Sequence, residues 1–228
     1  MRKTTMKDGA KRDGDTWILV AGGTVSPAFI RRVFDEAKPP VILIGVDRGT
    51  IKILDAGLIP SRAIGDFDSV SEEEWERIRS MKIHVEKLIP EKDDTDTEHA
   101  LRYALNERPR RILCLGCTGT RLDQTLSSIG LLKQAADEGI EAFILDENNR
   151  VRVVRGSCTL HKKEAFGKYV SVLPYGDRLE HLYMKGFKYP AEDVSTDFSV
   201  SLTVSNELTA KDGEIRCDGY CIVIESRD

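Results

Sequence analysis

What most restricts the fold of this chain is an alternation between Trp17 and about Leu145, where short apolar runs are interleaved with stretches whose apolar residues recur at helical spacing. Runs such as Val41–Val46 read as strands, and the amphipathic stretches between them read as helices that cover a sheet. The implied architecture is α/β, with a parallel sheet flanked by helices. Strands are expected at Trp17–Ala21, Val41–Val46, Arg62–Ile64, Ile83–Glu86, Ile112–Leu115 and Ala142–Leu145. Helices are expected at Pro27–Ala37, Thr50–Ala56, Ser71–Ser80, Thr95–Asn106 and Leu122–Asp137. Ser71 with Glu74, and Thr95 with Glu98, have the spacing of capping boxes, in which two side chains reciprocally satisfy backbone N–H groups at a helix start.

After Glu147-Asn148-Asn149-Arg150 the texture changes. Short runs such as Tyr169–Leu173 and Cys221–Glu225 are separated by turn signals at Pro174-Tyr175-Gly176-Asp177 and Lys211-Asp212-Gly213. Phe198–Val204 alternates with period two, the pattern of a half-buried strand. The expected division is a leader at 1–15, an α/β domain at 16–147 and a smaller all-β sandwich domain at 148–228. The leader is polar and charged and lacks the apolar segment of a signal peptide. Apolar runs fall far short of the roughly 20 residues that span a bilayer, so no membrane association is expected. A formal net charge of −4 supplies no basic field for nucleic acid. Five cysteines, an odd number, fit a reduced compartment such as the cytoplasm better than a disulfide framework. Cys114 and Cys117 with Cys217 and Cys221 have spacings compatible with zinc, but Cys114 and Cys221 sit in apolar runs where cysteine acts as a small hydrophobe. His84, His99, His161 and His181 show no metal-ligand spacing.

Ligands of parallel α/β sheets bind beyond the carboxyl ends of the strands. Acidic residues stand at three such places: Asp47 after Val41–Val46, Asp66 and Asp68 after Ala63-Ile64, and Asp93, Asp94 and Asp96 after Ile83–Glu86. Any one of them has a plain explanation, because aspartate favours turns and helix starts. Gathered in one crevice they would repel one another, and a hard divalent cation shared with substrate phosphates removes that conflict. A second constellation, Gly116-Cys117-Thr118-Gly119-Thr120-Arg121-Leu122-Asp123-Gln124, joins a strand to a helix. Its glycines let backbone N–H groups approach a phosphate, and Arg121 offers a planar fork for phosphate oxygens. The Gly-Lys-Ser/Thr ending of a P-loop is absent. Gly22-Gly23-Thr24 follows the first strand, where nucleotide phosphates often lie.

These segments, in this order, resemble the bacterial thiamine pyrophosphokinase family. The resemblance rests on Gly45-Val46-Asp47-Arg48-Gly49, Leu54-x-x-Gly57-x-x-Pro60, Ile64-Gly65-Asp66-Phe67-Asp68-Ser69, Lys92-Asp93-Asp94-Thr95-Asp96 and Gly119-Thr120-Arg121-Leu122-Asp123-Gln124. Gly186-Phe187-Lys188-Tyr189-Pro190 and Val204-Ser205-Asn206-Glu207 extend it into the β part. It implies a catalytic α/β domain, a β-sandwich that contributes thiamine-binding residues, and a homodimer with active sites at the subunit interface. It further implies transfer of the diphosphate of ATP to thiamine, with Mg²⁺. On this resemblance Asp47, Asp66, Asp68 and Asp96 would organise Mg²⁺, ATP and the attacking hydroxyl, with Asp96, Asp68 and Asp66 closest to the chemistry. Gly23, Asp47, Gly49, Gly119, Arg121 and Asp123 would hold the nucleotide, and Asp96, Ser205 and Asn206 would meet thiamine. Arg48, Thr50, Thr120 and Ser128 depart from the family's usual residues. A diphosphokinase for a pterin alcohol, a metal-dependent phosphatase with Asp66 or Asp68 as nucleophile, and a non-catalytic nucleotide or thiamine sensor remain open at this point.

Overall fold

Every crossover in the first two thirds of the chain runs through a helix, as parallel pairing requires. The computed structural model describes residues 15–89 and 93–228; the expected leader, apart from Asp15, and Lys92 lie outside the described residues. The elements run β1 (Thr16–Val20), α1 (Pro27–Glu36), β2 (Val41–Val46), α2 (Gly49–Asp55), β3 (Arg62–Gly65), α3 (Glu72–Ser80), β4 (His84–Lys87), α4 (Asp96–Asn106), β5 (Arg111–Leu115), α5 (Leu122–Asp137) and β6 (Glu141–Leu145). These strands lie in the order β6-β5-β1-β2-β3-β4, all parallel. The chain steps from β1 outward to β4 and then returns to the other side of β1. The strand order therefore reverses between β1 and β5, which opens a crevice at the carboxyl ends.

Burial explains why β1 is apolar at consecutive positions. Trp17 and Leu19 pack with Ile44, Ile64, Leu101 and Leu132, while Ile18 and Val20 pack on the opposite face with Phe29, Ile30, Leu43 and Ile53. A half-covered strand would alternate polar and apolar residues; this one is covered on both faces. Helix starts are set by side chains. Ser26 accepts from the N–H of Phe29 with Pro27 in the first turn, and Ser71 with Glu74 forms both halves of a capping box. At α4 only half of the expected box exists. Thr95 accepts from the Glu98 N–H at 3.2 Å, but the Glu98 carboxylate accepts from Arg102 and Gln134 instead, because charged and amide donors compete for it.

The remaining strands are β7 (Asn149–His161), β8 (Tyr169–Pro174), β9 (Arg178–Lys185), β10 (Ala191–Asp197), β11 (Asn206–Glu207) and β12 (Asp212–Ser226), all paired antiparallel. Among the described residues they pair with the parallel sheet at two register positions, Ile144 with Val151 and Leu145 with Arg150. On one side β12 runs the length of β7. Its other side pairs with β9 before an irregularity at Arg216–Tyr220 and with β8 after it. The β part thereby folds around its own core of Val154, Val172, Leu179, Leu182, Ile215 and Val223.

Phe198–Val204 is not a strand. It is an irregular segment with Phe198 62% and Leu202 63% exposed. Its alternation meets an edge at Thr203 alone, which is buried where its carbonyl accepts from the Val172 N–H and its hydroxyl donates to the Val172 carbonyl, while the Asp197 carboxylate captures the N–H and hydroxyl of Ser199 in a turn.

Replacing Ile18, which is fully buried, with alanine is expected to cost about 2–5 kcal/mol in urea unfolding. Ser71→Ala, which removes only a cap, is expected to cost about 1 kcal/mol. Equal losses for the two would contradict this account of what holds the α/β part.

Candidate active site

Five polypeptide segments meet at the reversal between β1 and β5, those following β1, β2, β3 and β5 and the one that opens α4, and backbone bonds fix how closely. Beyond β1 the N–H groups of Ala21, Gly23 and Thr24 donate to the carbonyls of Leu115, Gly116 and Thr118 at 2.7–2.8 Å. This zipper leaves no room for a side chain at Gly23, whose Cβ would lie 2.4 Å from the Gly116 oxygen. Gly49 is constrained more tightly still, since a Cβ there would stand 1.8 Å from the Val20 oxygen. Its close approach to β1 is what lets α2 begin directly after Asp47.

Asp47 itself lies just past β2 with φ 48°, a left-handed conformation that aspartate tolerates better than most residues. The Asp66-Phe67-Asp68 loop past β3 turns at Phe67, φ 61°. That turn is held because the Phe67 ring is buried against Trp75, centroids 5.0 Å apart, among Ile51, Leu54 and Ile78. With the phenyl ring anchored inward, the two flanking aspartates are turned toward the crevice. Ser69 donates to Asp47 at 2.6 Å and ties the two loops together.

The result is a cleft of about 890 Å³, lined by Ala21–Val25, Val46–Arg48, Lys52, Asp66, Asp68, Ser69, Asp94–Thr97, Gly116–Arg121, Gln124, Thr125 and Ser128. Carboxylate oxygens of Asp47, Asp66 and Asp68 lie within 4.8 Å of one another. The Asp68 carboxyl is held above its ordinary pKa, first by the charge of Asp66, then by partial desolvation, a hydrogen bond with Asp66, and the charges of Asp47 and Asp96. One oxygen of Asp47 is buried and accepts no hydrogen bond. An orphaned buried carboxylate oxygen beside two more carboxylates is a donor set suited to Mg²⁺, whose hard character favours oxygen ligands. Asp96 lies outside this close group but lines the same cleft from the first turn of α4.

Other expected site residues are placed as follows. Gly119 and Arg121 line the cleft; Asp123 does not, but pairs with Arg121, whose side chain is 69% exposed. Gly49 does not line the cleft and serves packing. Ser205, φ 58°, donates its N–H to the Ser171 hydroxyl in the β part. Asn206 is buried, accepts from the N–H groups of Tyr189 and Glu207, and donates to the Tyr189 carbonyl. Neither Ser205 nor Asn206 lines the carboxylate cleft. Among the departures, Arg48, Thr120 and Ser128 line the cleft, whereas Thr50 is fully buried beneath Gly45. Sequence reasoning missed Lys52. It donates to the Gly23 carbonyl from one helical turn beyond Asp47, and the only local signal was a basic residue on a short helix after an acidic strand end.

Comparison with known proteins gives concordant matches. Residues 35–144 match the family described as "Thiamin pyrophosphokinase, catalytic domain", and residues 157–222 match "Thiamin pyrophosphokinase, vitamin B1 binding domain". The thiamine pyrophosphokinase of Bacillus subtilis is 36% identical over 211 residues, covering 92% of this chain and 98% of that protein. The crystal structure of the B. subtilis enzyme superposes with a TM-score of 0.84 at 34% identity, covering 93% of this chain and 99% of the other. The thiamin pyrophosphokinase of Geobacillus thermodenitrificans gives 0.82 at 32%, covering 94% and 98%.

A carboxyl whose folded pKa is raised favours folding while protonated, and that contribution is lost as pH rises through the folded value. In metal-free protein at neutral pH, Asp68→Asn is therefore expected to melt at a higher temperature than wild type, with the gap closing on acidification through the carboxylate range. Thermal melts at several pH values check this; a variant that melts lower at neutral pH would contradict the repulsion.

Proposed function

Because the chain belongs to the thiamin pyrophosphokinase family, we propose that it transfers the terminal diphosphate of ATP to the hydroxyl of thiamine, giving thiamine diphosphate and AMP. The observation that carries this reading is the gathering of Asp47, Asp66 and Asp68 at one rim of a cleft whose other rim is a glycine-rich strand-to-helix turn. Phosphatase, pterin and sensor readings are not favoured, since the chain matches both the catalytic and the vitamin B1 binding descriptions of the family.

Asp47, Asp66 and Asp68 would hold Mg²⁺, which would supply positive charge to offset both the carboxylates and the triphosphate. The chain's own groups do the rest. Backbone N–H groups of the Gly116–Gly119 turn, together with Arg121, hold phosphate oxygens and stabilise the charge that develops on them. Arg121 exchanges its Asp123 partner for phosphate, an exchange that costs little because both side chains are exposed. Asp96 accepts the hydrogen bond of the thiamine hydroxyl, aims it at the β-phosphorus and takes its proton as the new P–O bond forms. The bond from the β-phosphorus to the oxygen bridging the α-phosphate breaks in line, and AMP departs with that oxygen.

Ser205 and Asn206 stand apart from the cleft of their own chain, and the apolar side chains of Phe198, Val200, Leu202 and Val204 are exposed beside them in sequence. Both observations support a homodimer in which one copy brings these residues to the cleft of the other. Among the described residues no helix is long and apolar enough to cross a membrane. The reaction is assigned to the cytoplasm, where ATP and reduced thiols coexist.

Incubation with ATP, Mg²⁺ and thiamine is expected to yield AMP and thiamine diphosphate in equal amounts, with both lost on chelation and restored by Mg²⁺. Folded protein that makes neither product would sink the reading. Asp96→Asn is expected to lower turnover by about 10²–10⁴-fold; undiminished turnover removes Asp96 from the proton transfer.

A further inference from the structure

The acidic rim of the cleft has an obvious candidate ligand, whereas its positive charges are unevenly committed. Arg121 is paired with Asp123, and Arg48 reaches Glu74 at 3.5 Å. Among the described residues the third cation, Lys52, has no carboxylate within ion-pair distance; its ammonium rests on the Gly23 carbonyl. An ammonium carries three donors, so this bond leaves two. The lysine is also held in place. Ile51, Ile53 and Leu54 of α2 are buried on either side of it in sequence, and Gly49 docks the start of the helix against β1. Its stem is half-buried, and burial, followed by the nearby charge of Arg48, holds its pKa below the ordinary lysine value, while Glu147 opposes that shift. A cation in that condition gains from an anion more than a solvated one does, because less water has to be displaced.

Position selects the anion. Lys52 lines the cleft that the Gly22–Thr24 turn shares with the aspartate loops, and its ammonium sits on the Gly23 carbonyl beyond β1, where nucleotide phosphates often lie in sheets of this kind. We propose that Lys52 is a second phosphate-holding cation of this cleft beside Arg121, keeping one N–H on the Gly23 carbonyl and giving the other two to oxygens of the nucleotide triphosphate. The proposal rests on the nucleotide reading above and adds to it a residue that ties phosphate binding to the β1 turn. A compact ammonium serves oxygens of two adjacent phosphates as a point charge, a task that does not require the planar fork of arginine.

The test separates charge from propping. Lys52→Gln keeps a donor for the Gly23 carbonyl but no charge, Lys52→Met removes both, and Lys52→Arg keeps the charge. Binding of a non-hydrolysable ATP analogue is measured by calorimetry without thiamine, alongside KM for each substrate and the melting temperature. Lys52→Gln and Lys52→Met are expected to weaken analogue binding by about ten- to a hundredfold, with the KM for thiamine changed by less than about twofold. Lys52→Arg is expected to recover most of the loss. Analogue binding by Lys52→Gln equal to that of wild type overturns the proposal. So does a Lys52→Met loss shared equally by both substrates and accompanied by a lower melting temperature, while Lys52→Gln is unaffected. If Lys52→Met does not fold, the Lys52→Gln and Lys52→Arg pair decides. Wild type that binds the analogue yet makes no thiamine diphosphate overturns the reaction assigned above and leaves the lysine test intact.

Discussion

The double coverage of β1 is the constraint from which the rest of the molecule follows. A strand apolar at four consecutive positions, with Ile18 and Val20 on one face and Trp17 and Leu19 on the other, is stable only between two layers of helix. Once those layers exist, β1 becomes the centre of the parallel sheet. The return of the chain to its far side then creates the crevice, and the backbone zipper from Ala21–Thr24 to Leu115–Thr118 sets its floor. A sheet anchored in this way can carry like charges at its rim. Asp47, Asp66 and Asp68 oppose one another electrostatically, and the buried Phe67 ring and the Ser69–Asp47 bond keep the loops from splaying.

Much of the α/β part was legible because its signals are local. Strand and helix limits fall within a residue or two of the apolar periodicity, and the Ser71 box stands as read. The acidic rim was legible for the same reason: a carboxylate directly after a strand is placed by the strand, whatever surrounds it. Signals that need a distant partner were misread or missed. The alternation of Phe198–Val204 is necessary for a strand but does not supply an edge to pair with, and Asp197 diverts the chain into a turn. The Thr95–Glu98 box is half-made because Arg102 and Gln134 claim the glutamate. Lys52 has a role only because Gly23, 29 residues away, presents a carbonyl to it.

Asn206 shows a different limit. The family resemblance implied a ligand contact for it; its carboxamide oxygen serves two backbone N–H groups and its nitrogen a carbonyl. A buried amide has few partners to spare, and here most are spent fixing the path of Tyr189. Its contribution to a ligand would come through the shape it gives to Ser205 and Tyr189 and through the one amide hydrogen that remains.

Among the described residues the parallel and antiparallel parts share two rungs of ladder, so their relative position depends on whatever else bridges them. That bridge is α5. Near its start Gln124, Thr125 and Ser128 face the cleft; farther along, the Gly130 carbonyl accepts from the Tyr175 hydroxyl at 3.0 Å, and Asp137 at its end accepts from Tyr220. A sixteen-residue helix is stiff on this scale. It reaches from the cleft to two tyrosine hydroxyls of the β part, so residues at the cleft and strands of the second part hang on one stiff element as well as on the core that Val151 and Val153 share with the parallel sheet.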